Sequence, residues 1–365
     1  MSNEDIFKPK KKETGAKKFW RIVFGTMVGF FLSCLIVSIL STLMFVAMIA
    51  SMGSSNTVAI NDNTILKLDL QKPIQEQAVD NPFDMFGDEF SQYYQSGIGL
   101  DDILTCIKAA AKDSKIKGIY INTESVSASP ATLKEIHDAL VEFKESGKFI
   151  YAYADNYTQG AYYLASVADN VTMSATGLLQ FRGVALQVMF YKGLIDKLDV
   201  DMQIIRHGKF KSAVEPYMMD KMSEANREQM TLLANTIWNT MVDDIAAERK
   251  LNKETLNQIA DNMFFGTATK AVENKLIDKT CYKDEVAQDL KKLVGLAEDK
   301  DLNITGLSEY RKAVKAETNS AKDEIAVVYA VGQITGGKSG NDVMGSETMV
   351  KLIKDAYTSE NVKAI

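Results

Sequence analysis

Two lysines in one short segment are the first candidates for catalysis. Residues 206–216 read RHGKFKSAVEP, so Lys209 and Lys211 stand two positions apart and Ser212 follows directly. A lysine acts as a general base only when desolvation or a neighbouring positive charge lowers its pKa. Ser/Lys dyads use such a base to deprotonate a serine hydroxyl. Adjacent side chains rarely have dyad geometry, and solvated lysines commonly show this spacing. From the residues alone, this segment is either the source of a general base or an ordinary loop of solvated charges.

A second candidate is the turn within residues 157–165, which read YTQGAYYLA. A small-residue turn between a strand and a helix can present a nucleophile or a backbone anion hole. Gln159 stands at this turn, and Thr158 is its one hydroxyl of nucleophile type. A tight connection with aromatic packing is the plainer interpretation.

The histidines and cysteines offer little chemistry. His137 falls in a predicted helix beside its apolar face, which favours a structural role, and His207 is expected at the surface. Cys34, Cys106 and Cys281 are far apart, with no CxxC or HxxxH spacing. Neither a zinc site nor a disulfide scaffold is indicated, and no cofactor or metal is predicted.

Composition narrows the class of protein. The chain has 365 residues, 46% hydrophobic and 25% charged, with a formal charge of −6 and a pI near 5.3. This balance argues against a nucleic-acid partner, whose footprint is a basic patch. Residues 1–21 differ from the rest, because they carry seven Lys/Arg against three acids.

An apolar segment follows this basic cluster. No charged residue occurs in residues 22–59, and about 20 apolar residues suffice for a helix that crosses a bilayer. We expect a cytoplasmic basic segment over residues 1–21 and a transmembrane signal anchor over residues 22–50. The positive-inside rule then places the main domain outside the cytoplasm. A cleaved signal peptide, cut at the small residues near Ala50 and Ser51, is the alternative.

Beyond a polar linker over residues 51–63, hydrophobic periodicity predicts alternating strands and helices. The predicted strands are residues 64–70, 116–121, 149–154, 171–173 and 200–206, and the predicted helices are residues 100–112, 130–146, 162–167, 183–198 and 223–249. Such alternation is typical of an α/β domain with a largely parallel sheet, here over residues 64–279. A charged, helical connector is expected over residues 280–322. The aromatic loop at residues 83–94 is left unassigned.

Residues near the end of the chain are similar in sequence to residues near the start of the predicted α/β domain. Ile65 and Ile74 match Ile325 and Ile334 at an offset of 260. Residues 103–119 match residues 349–365 at an offset of 246, with five identities. A tandem duplication predicts that residues 323–365 begin a second, truncated domain. We therefore expect the chain to be the N-terminal part of a longer protein.

The FKSAVEP element at residues 210–216 resembles the signal peptide peptidase A (protease IV) family, in its long tandem-domain form. Further similar segments are SGK at residues 146–148, YAY at residues 151–153, YYLAS at residues 162–166 and YKGL at residues 191–194. The resemblance implies a Clp-protease/crotonase-like fold in each copy. It also implies that the first copy supplies a lysine base, which maps onto Lys211 rather than Lys209. The second copy would supply the serine nucleophile, which lies beyond the end of this chain.

The resemblance further implies a function. A membrane-anchored serine endopeptidase would degrade cleaved signal peptides and other unfolded or apolar peptides, as a homotetramer at the inner membrane with periplasmic domains. Two alternatives stay open. A non-catalytic membrane scaffold would bind peptides without cleaving them. A crotonase-type acyl-CoA enzyme would need the domain in the cytoplasm, against the predicted orientation.

Overall fold

A computed structural model describes residues 14–52, 60–77, 97–262, 264–316, 321–340 and 343–365. The chain divides into two units, Met1–Thr57 and Val58–Ile365. The first contains helix α1 (Gly15–Met52), of which Gly15–Met44 is long and apolar enough to cross a membrane. A signal sequence passes the same test of length and composition. The aromatic loop at residues 83–94 lies outside the described residues.

The second unit is built on a parallel sheet of six strands. In spatial order these strands are β10 (Asn303–Gly306), β1 (Thr64–Leu68), β4 (Ile116–Ile121), β5 (Phe149–Ala154), β6 (Asn170–Met173) and β9 (Lys279–Thr280). Four two-stranded pairs accompany the sheet. They are β2 (Ile74–Gln75) with β3 (Ile98–Gly99), β7 (Leu178–Phe181) with β8 (Phe264–Thr267), β11 (Glu324–Ile325) with β14 (Val362–Ala364), and β12 (Gln333–Thr335) with β13 (Val343–Gly345). Only the β7–β8 pair is antiparallel among these described pairs.

Helices connect the strands and cover the sheet. The described helices of this unit are α2 (Leu100–Lys112), α3 (Pro130–Lys144), α4 (Gln159–Ala165), α5 (Lys192–Lys197), α6 (Glu215–Met218), α7 (Glu224–Arg249), α8 (Lys253–Asp261), α9 (Ala268–Glu273), α10 (Lys283–Leu293), α11 (Leu307–Ala316) and α12 (Ser346–Thr358).

The sheet is buried on both faces. Its strands read as nearly continuous apolar runs, FIYAYA in β5 for example, as expected where both faces are covered. Successive side chains of a strand point to opposite faces. Ile150 and Ala152 accordingly join the large core under α2 and α3, whereas Tyr151 and Tyr153 join a smaller cluster with α10. The expected α/β class with a parallel sheet is confirmed.

Local signals set several boundaries. Helix α3 begins after Ser129, whose hydroxyl accepts a hydrogen bond from Thr132 N, and Pro130 fills its first position. Helix α7 begins after Ser223, whose side chain accepts a hydrogen bond from Asn226 N. Gly118 allows β4 to lie close to β5, because a Cβ there would lie 2.6 Å from Phe149.

The predictions for residues 183–206 are wrong. A helix was expected over residues 183–198, but only α5 forms there, and residues 200–206 form no strand. The apolar side chains that gave this pattern are exposed: Leu186, Met189, Leu194, Leu198 and Ile205. Periodicity predicts a regular element only when a surface buries one of its faces, and the described residues provide none here.

The segment expected to be a helical connector belongs to the first sheet. It contains β10, which pairs with β1 from Thr64↔Asn303 to Lys67↔Gly306. Tyr310 of α11 is 2% exposed within the large core, and its hydroxyl donates to Asp113 Oδ2 at 3.1 Å. A short strand between charged stretches gives little periodic signal, so the sequence missed it.

The last described segment repeats the strand pairing of the first. Thr64↔Ile116 and Ile65↔Gly118 are partners in β1 and β4, with a register shift between them. Offsets of 260 and 246 convert these pairs into Glu324↔Val362 and Ile325↔Ala364, the observed partners of β11 and β14, with the same shift. The inner pair repeats too, since Ile74↔Ile98 becomes Ile334↔Met344.

His137 is buried as the sequence predicts. Its ring is 2% exposed and stacks on Tyr163 with 4.6 Å between centroids. Burial lowers the pKa of His137, although Asp244 and Asp138 favour its charged form. Asp138 Oδ1 lies 3.6 Å from Nδ1, beyond hydrogen-bonding distance, and Lys134 opposes protonation. The folded domain therefore holds this imidazole neutral.

Mild acid should destabilise the domain through His137. The unfolded chain takes up this proton near the ordinary histidine pKa of about 6.5, whereas the folded chain takes it up only at lower pH. Stability is therefore lost as the pH falls through that window. We expect the thermal midpoint to fall less between about pH 7.5 and about pH 5.5 in His137→Phe than in the wild type. His207→Phe, at the exposed histidine, is the control and should behave as the wild type; equal falls in all three proteins would contradict the prediction.

Candidate active site

Lys211 lies in the irregular segment between α5 and α6. Its side chain is exposed and lines an open cleft of about 620 Å³. The walls of the cleft come from residues 205–207, residues 210–214 and Gln229. Gly208 has φ +101°, a conformation that favours glycine, and this lets the chain turn so that Gly208 O accepts from Lys211 N at 3.5 Å.

The structure distinguishes the two candidate lysines. Lys209 Nζ lies 5.1 Å from the centroid of the Phe210 ring and 3.8 Å from Glu228 Oε2, an exposed ion pair. Lys211 instead faces the cleft together with Arg206 and His207. His207 is exposed, as the sequence predicts.

Glu215, in the same motif as Lys211, is buried and fully engaged. Its side chain is 1% exposed. Oε1 accepts from Ser223 Oγ at 2.6 Å, and Oε2 accepts from Ser223 N at 3.2 Å and from Asn226 Nδ2 at 3.0 Å. Arg206 Nη1 lies 3.6 Å from Oε1. These contacts join the lysine segment to the first turn of α7.

The charge state of Glu215 follows from these partners. Burial raises the pKa of a carboxyl group, but the hydrogen bonds from Ser223 and Asn226 and the charge of Arg206 outweigh it, so the pKa of Glu215 is lowered. The carboxylate also lies at the amino end of α7, where the helix dipole favours negative charge. Glu215 is therefore an anion at neutral pH.

In the turn after β5, the side chain of Gln159 binds the backbone of residues 182 and 183. Gln159 Oε1 accepts from Arg182 N at 2.8 Å and Gly183 N at 3.1 Å, and Gln159 Nε2 donates to Gly183 O at 3.1 Å. Thr158 Oγ1 donates to Glu124 O at 3.1 Å. The turn lies between β5 and α4, as predicted. Its Gln159 amide oxygen accepts hydrogen bonds from two backbone N–H groups, and its Thr158 hydroxyl is already hydrogen-bonded, so the turn presents no free nucleophile.

The structure brings together some of the candidates. Lys211, Ser212 and His207 share the cleft, whereas Thr158 and Gln159 belong to the separate turn, and His137 is buried between α3 and α4. Sequence reasoning missed Glu215 and Arg206, because their contacts depend on how the segment folds against α7. Within the described residues, no cluster of His, Cys, Asp and Glu is arranged to hold a metal ion.

Comparison with known proteins decides the family. Residues 142–297 match Peptidase family S49, a range that includes both the turn and the lysine segment. Protease 4 of Salmonella typhi is 33% identical over 274 residues, 73% of this chain and 44% of the relative. The chain belongs to the signal peptide peptidase A family. S49 enzymes are serine peptidases with a ClpP-like fold.

Two other relatives show how far the similarity extends. Protease 4 of Haemophilus influenzae is 29% identical over 278 residues, 73% of this chain and 45% of the relative. Serine protease SPPA, chloroplastic, of Arabidopsis thaliana is 28% identical over 285 residues, 76% of this chain and 42% of the relative. The chain thus spans less than half the length of these curated relatives.

Gln159 should be required to hold the turn. Gln159→Ala removes three hydrogen bonds and leaves the exposed Arg182 N–H and the part-buried Gly183 N–H without their acceptor, so we expect a loss of about 1–3 kcal/mol in the free energy of unfolding. Hydrogen exchange at residues 182 and 183 should rise as well. Gln180→Ala is the matched control. Gln180 Oε1 accepts an exposed hydrogen bond from Arg182 Nη2, and its loss should cost under about 0.5 kcal/mol. Equal losses in the two variants would show that the Gln159 contacts do not hold the turn.

Proposed function

We propose that this chain is the base-supplying part of a membrane-anchored serine endopeptidase of the signal peptide peptidase type. One observation carries the proposal. A lysine lines an open cleft, while the turn that would carry a nucleophile holds Gln159, bound to backbone groups. Base and nucleophile are then divided between two copies of the fold, with Lys211 as the base and the serine in a second copy that continues after Ile365.

The repeated strand register supports the second copy. The pairings β1·β4 and β2·β3 recur in β11·β14 and β12·β13 at the same offsets, including the register shift. Helix α12 follows β13 as α2 follows β3, and both have a glycine at the N-cap. We propose that the first domain begins at residue 64 and includes the segment of residues 280–322, whose β10 pairs with β1, and that the second domain begins at residue 323.

The proposed reaction is peptide hydrolysis through an acyl-enzyme. Uncharged Lys211 Nζ removes the proton from the serine Oγ, which attacks the substrate carbonyl carbon. The protonated lysine then returns that proton to the leaving amine nitrogen as the peptide bond breaks. Lys211 next removes a proton from water, which attacks the ester carbonyl carbon. The lysine returns this proton to the serine Oγ as the ester bond breaks, which releases the acid and regenerates both the free serine and the uncharged base.

Substrate and location follow the family. Cleaved signal peptides and other unfolded, apolar peptides fit a protease held at a bilayer by α1, with residues 1–21 cytoplasmic and the catalytic domains periplasmic. Exposed apolar side chains along the segment between β7 and α6 support assembly into a homotetramer, since an isolated chain rarely exposes a large apolar surface. A non-catalytic, peptide-binding scaffold is the alternative, and the closed turn at Gln159 favours it.

Substitution of the base tests the proposal in the full-length protein. Removal of a general base costs about 10²–10⁴-fold in rate, so we expect Lys211→Ala to lose at least about hundredfold in kcat for hydrolysis of an unfolded, apolar peptide. Lys209→Ala is the matched control and should retain activity, because Lys209 pairs with Glu228 on the surface. Full activity in Lys211→Ala would falsify the assignment of the base.

The mass of the native protein tests the second copy. We expect the protein isolated from its membrane to have an intact mass well above 40.4 kDa and to react with a serine-directed fluorophosphonate. The labelled serine should lie after residue 365. A native mass of 40.4 kDa without labelling would instead support the scaffold.

A further inference from the structure

Glu215 is a buried ion that the proposed reaction leaves without a role. A carboxylate that is 1% exposed is retained only where donors replace its water, because burying an unpaired charge is costly. Here the donors come from two different parts of the fold. Ser223 and Asn226 belong to the start of α7, whereas Arg206 belongs to the segment that carries Lys211.

Arg206 continues this connection to Lys211. Its Nη1 lies 3.6 Å from Glu215 Oε1 and donates to Lys211 O at 3.4 Å. The backbone gives a second connection, since Glu215 N donates to Ser212 O at 3.0 Å. The Glu215 carboxylate therefore reaches the residue that contacts the Lys211 carbonyl, and the Glu215 backbone N–H holds the residue that follows Lys211.

This connection matters because few other contacts fix the position of the segment between α5 and α6 that carries Lys211. Between α5 and α6 no described residue lies in a helix or strand, and most side chains there are exposed. A general base must lie within hydrogen-bonding reach of its proton donor, and a displacement of about 1 Å is enough to cost about hundredfold in rate. An exposed, irregular segment cannot hold this tolerance without tertiary contacts.

We propose that Glu215 is a positioning residue for Lys211. Its carboxylate fixes Arg206 against the first turn of α7, and Arg206 in turn holds the Lys211 carbonyl at the cleft. The backbone bond from Glu215 N to Ser212 O is a second, separate contact that substitution of the side chain leaves in place. This role rests on the proposed function, in which Lys211 is the base. The side chain of Glu215 itself touches no reacting atom.

Hydrogen exchange in the 365-residue chain tests the connection without any assay of activity. Loss of a hydrogen bond to a charged group costs about 1.5–3 kcal/mol, so Glu215→Ala should raise exchange at residues 206–214 by about tenfold or more. Exchange in β4 and β5 should stay unchanged. Glu228→Ala is the matched control, since it removes a nearby exposed acid that pairs with Lys209. Asn226→Ala, which removes one donor, should give a smaller rise and serves if Glu215→Ala fails to fold.

Glu215→Gln distinguishes the contacts of Glu215 with α7 from its contact with Arg206. Its amide oxygen can still accept from Ser223 N and Asn226 Nδ2, but the neutral amide no longer attracts Arg206. We expect the first turn of α7 to keep its protection while residues 206–214 exchange faster. Unchanged exchange of residues 206–214 in both Glu215 variants overturns the proposal. Faster exchange throughout the sheet also overturns it, because Glu215 would then be a general structural residue.

The full-length enzyme provides the kinetic test. Glu215→Gln and Arg206→Met should each lower kcat by at least about tenfold with KM within about twofold, because a misplaced base affects the chemical step rather than substrate binding. Glu228→Ala should match the wild type. An unchanged kcat in Glu215→Gln overturns the positioning role. Activity in Lys211→Ala overturns the proposed function instead, and the exchange results remain a separate measurement of the connection.

Discussion

Two parallel strands cannot be joined by a tight turn, so each strand of the six-stranded sheet is reached by a crossover. The crossovers supply the helices that bury both faces of the sheet, with α2 and α3 over one cluster and α10 over the other. The same constraint shapes residues 324–364, where the parallel β12–β13 pair and α12 lie in sequence between the two paired strands β11 and β14. Within the described residues α12 buries no side chain, although its counterpart α2 buries six. A parallel motif of this kind acquires a core only when further layers cover it.

The two candidate functional segments depend on this scaffold in different ways. The turn at Gln159 follows directly from β5, so the sheet places it, and the amide of Gln159 then fastens it to the backbone beyond β7. The segment that carries Lys211, between α5 and α6, contains no residue in a helix or strand. Its position depends on a buried carboxylate and on the amino end of α7. A buried ion pair contributes little net stability, but breaking it is costly, so it specifies one arrangement of an otherwise irregular segment.

Sequence reasoning succeeded where a local rule and burial agreed. Helix α3 has a serine cap, a proline at its first position and an apolar stripe that is buried against the sheet, and β5 is an apolar run between two other buried strands. Sequence reasoning failed over residues 183–206. The apolar side chains there are spaced as in a helix or strand, but they are exposed, and no surface of the described chain packs against them to stabilise a regular element. The resemblance assigns the role of base to Lys211, and that assignment stays a prediction. Glu215 went unnoticed because a carboxylate in a charged motif predicts a solvated side chain, and its burial arises only from the packing of α6 and Ser223 against each other.

The proposed division of base and nucleophile between two copies would have a physical consequence. A lysine surrounded by water holds its proton, and desolvation is what disposes it to act as a base. The cleft that Lys211 lines is open. In the proposed enzyme the surface that brings the serine also covers the cleft, and the same docking step therefore delivers the nucleophile and activates the base. The lysine segment must hold its shape before that surface arrives, because an ordered base avoids the entropy cost of fixing it at the moment of docking. An anion buried beneath the segment, tied to a long helix on one side and to Arg206 on the other, provides that order while the cleft itself stays accessible.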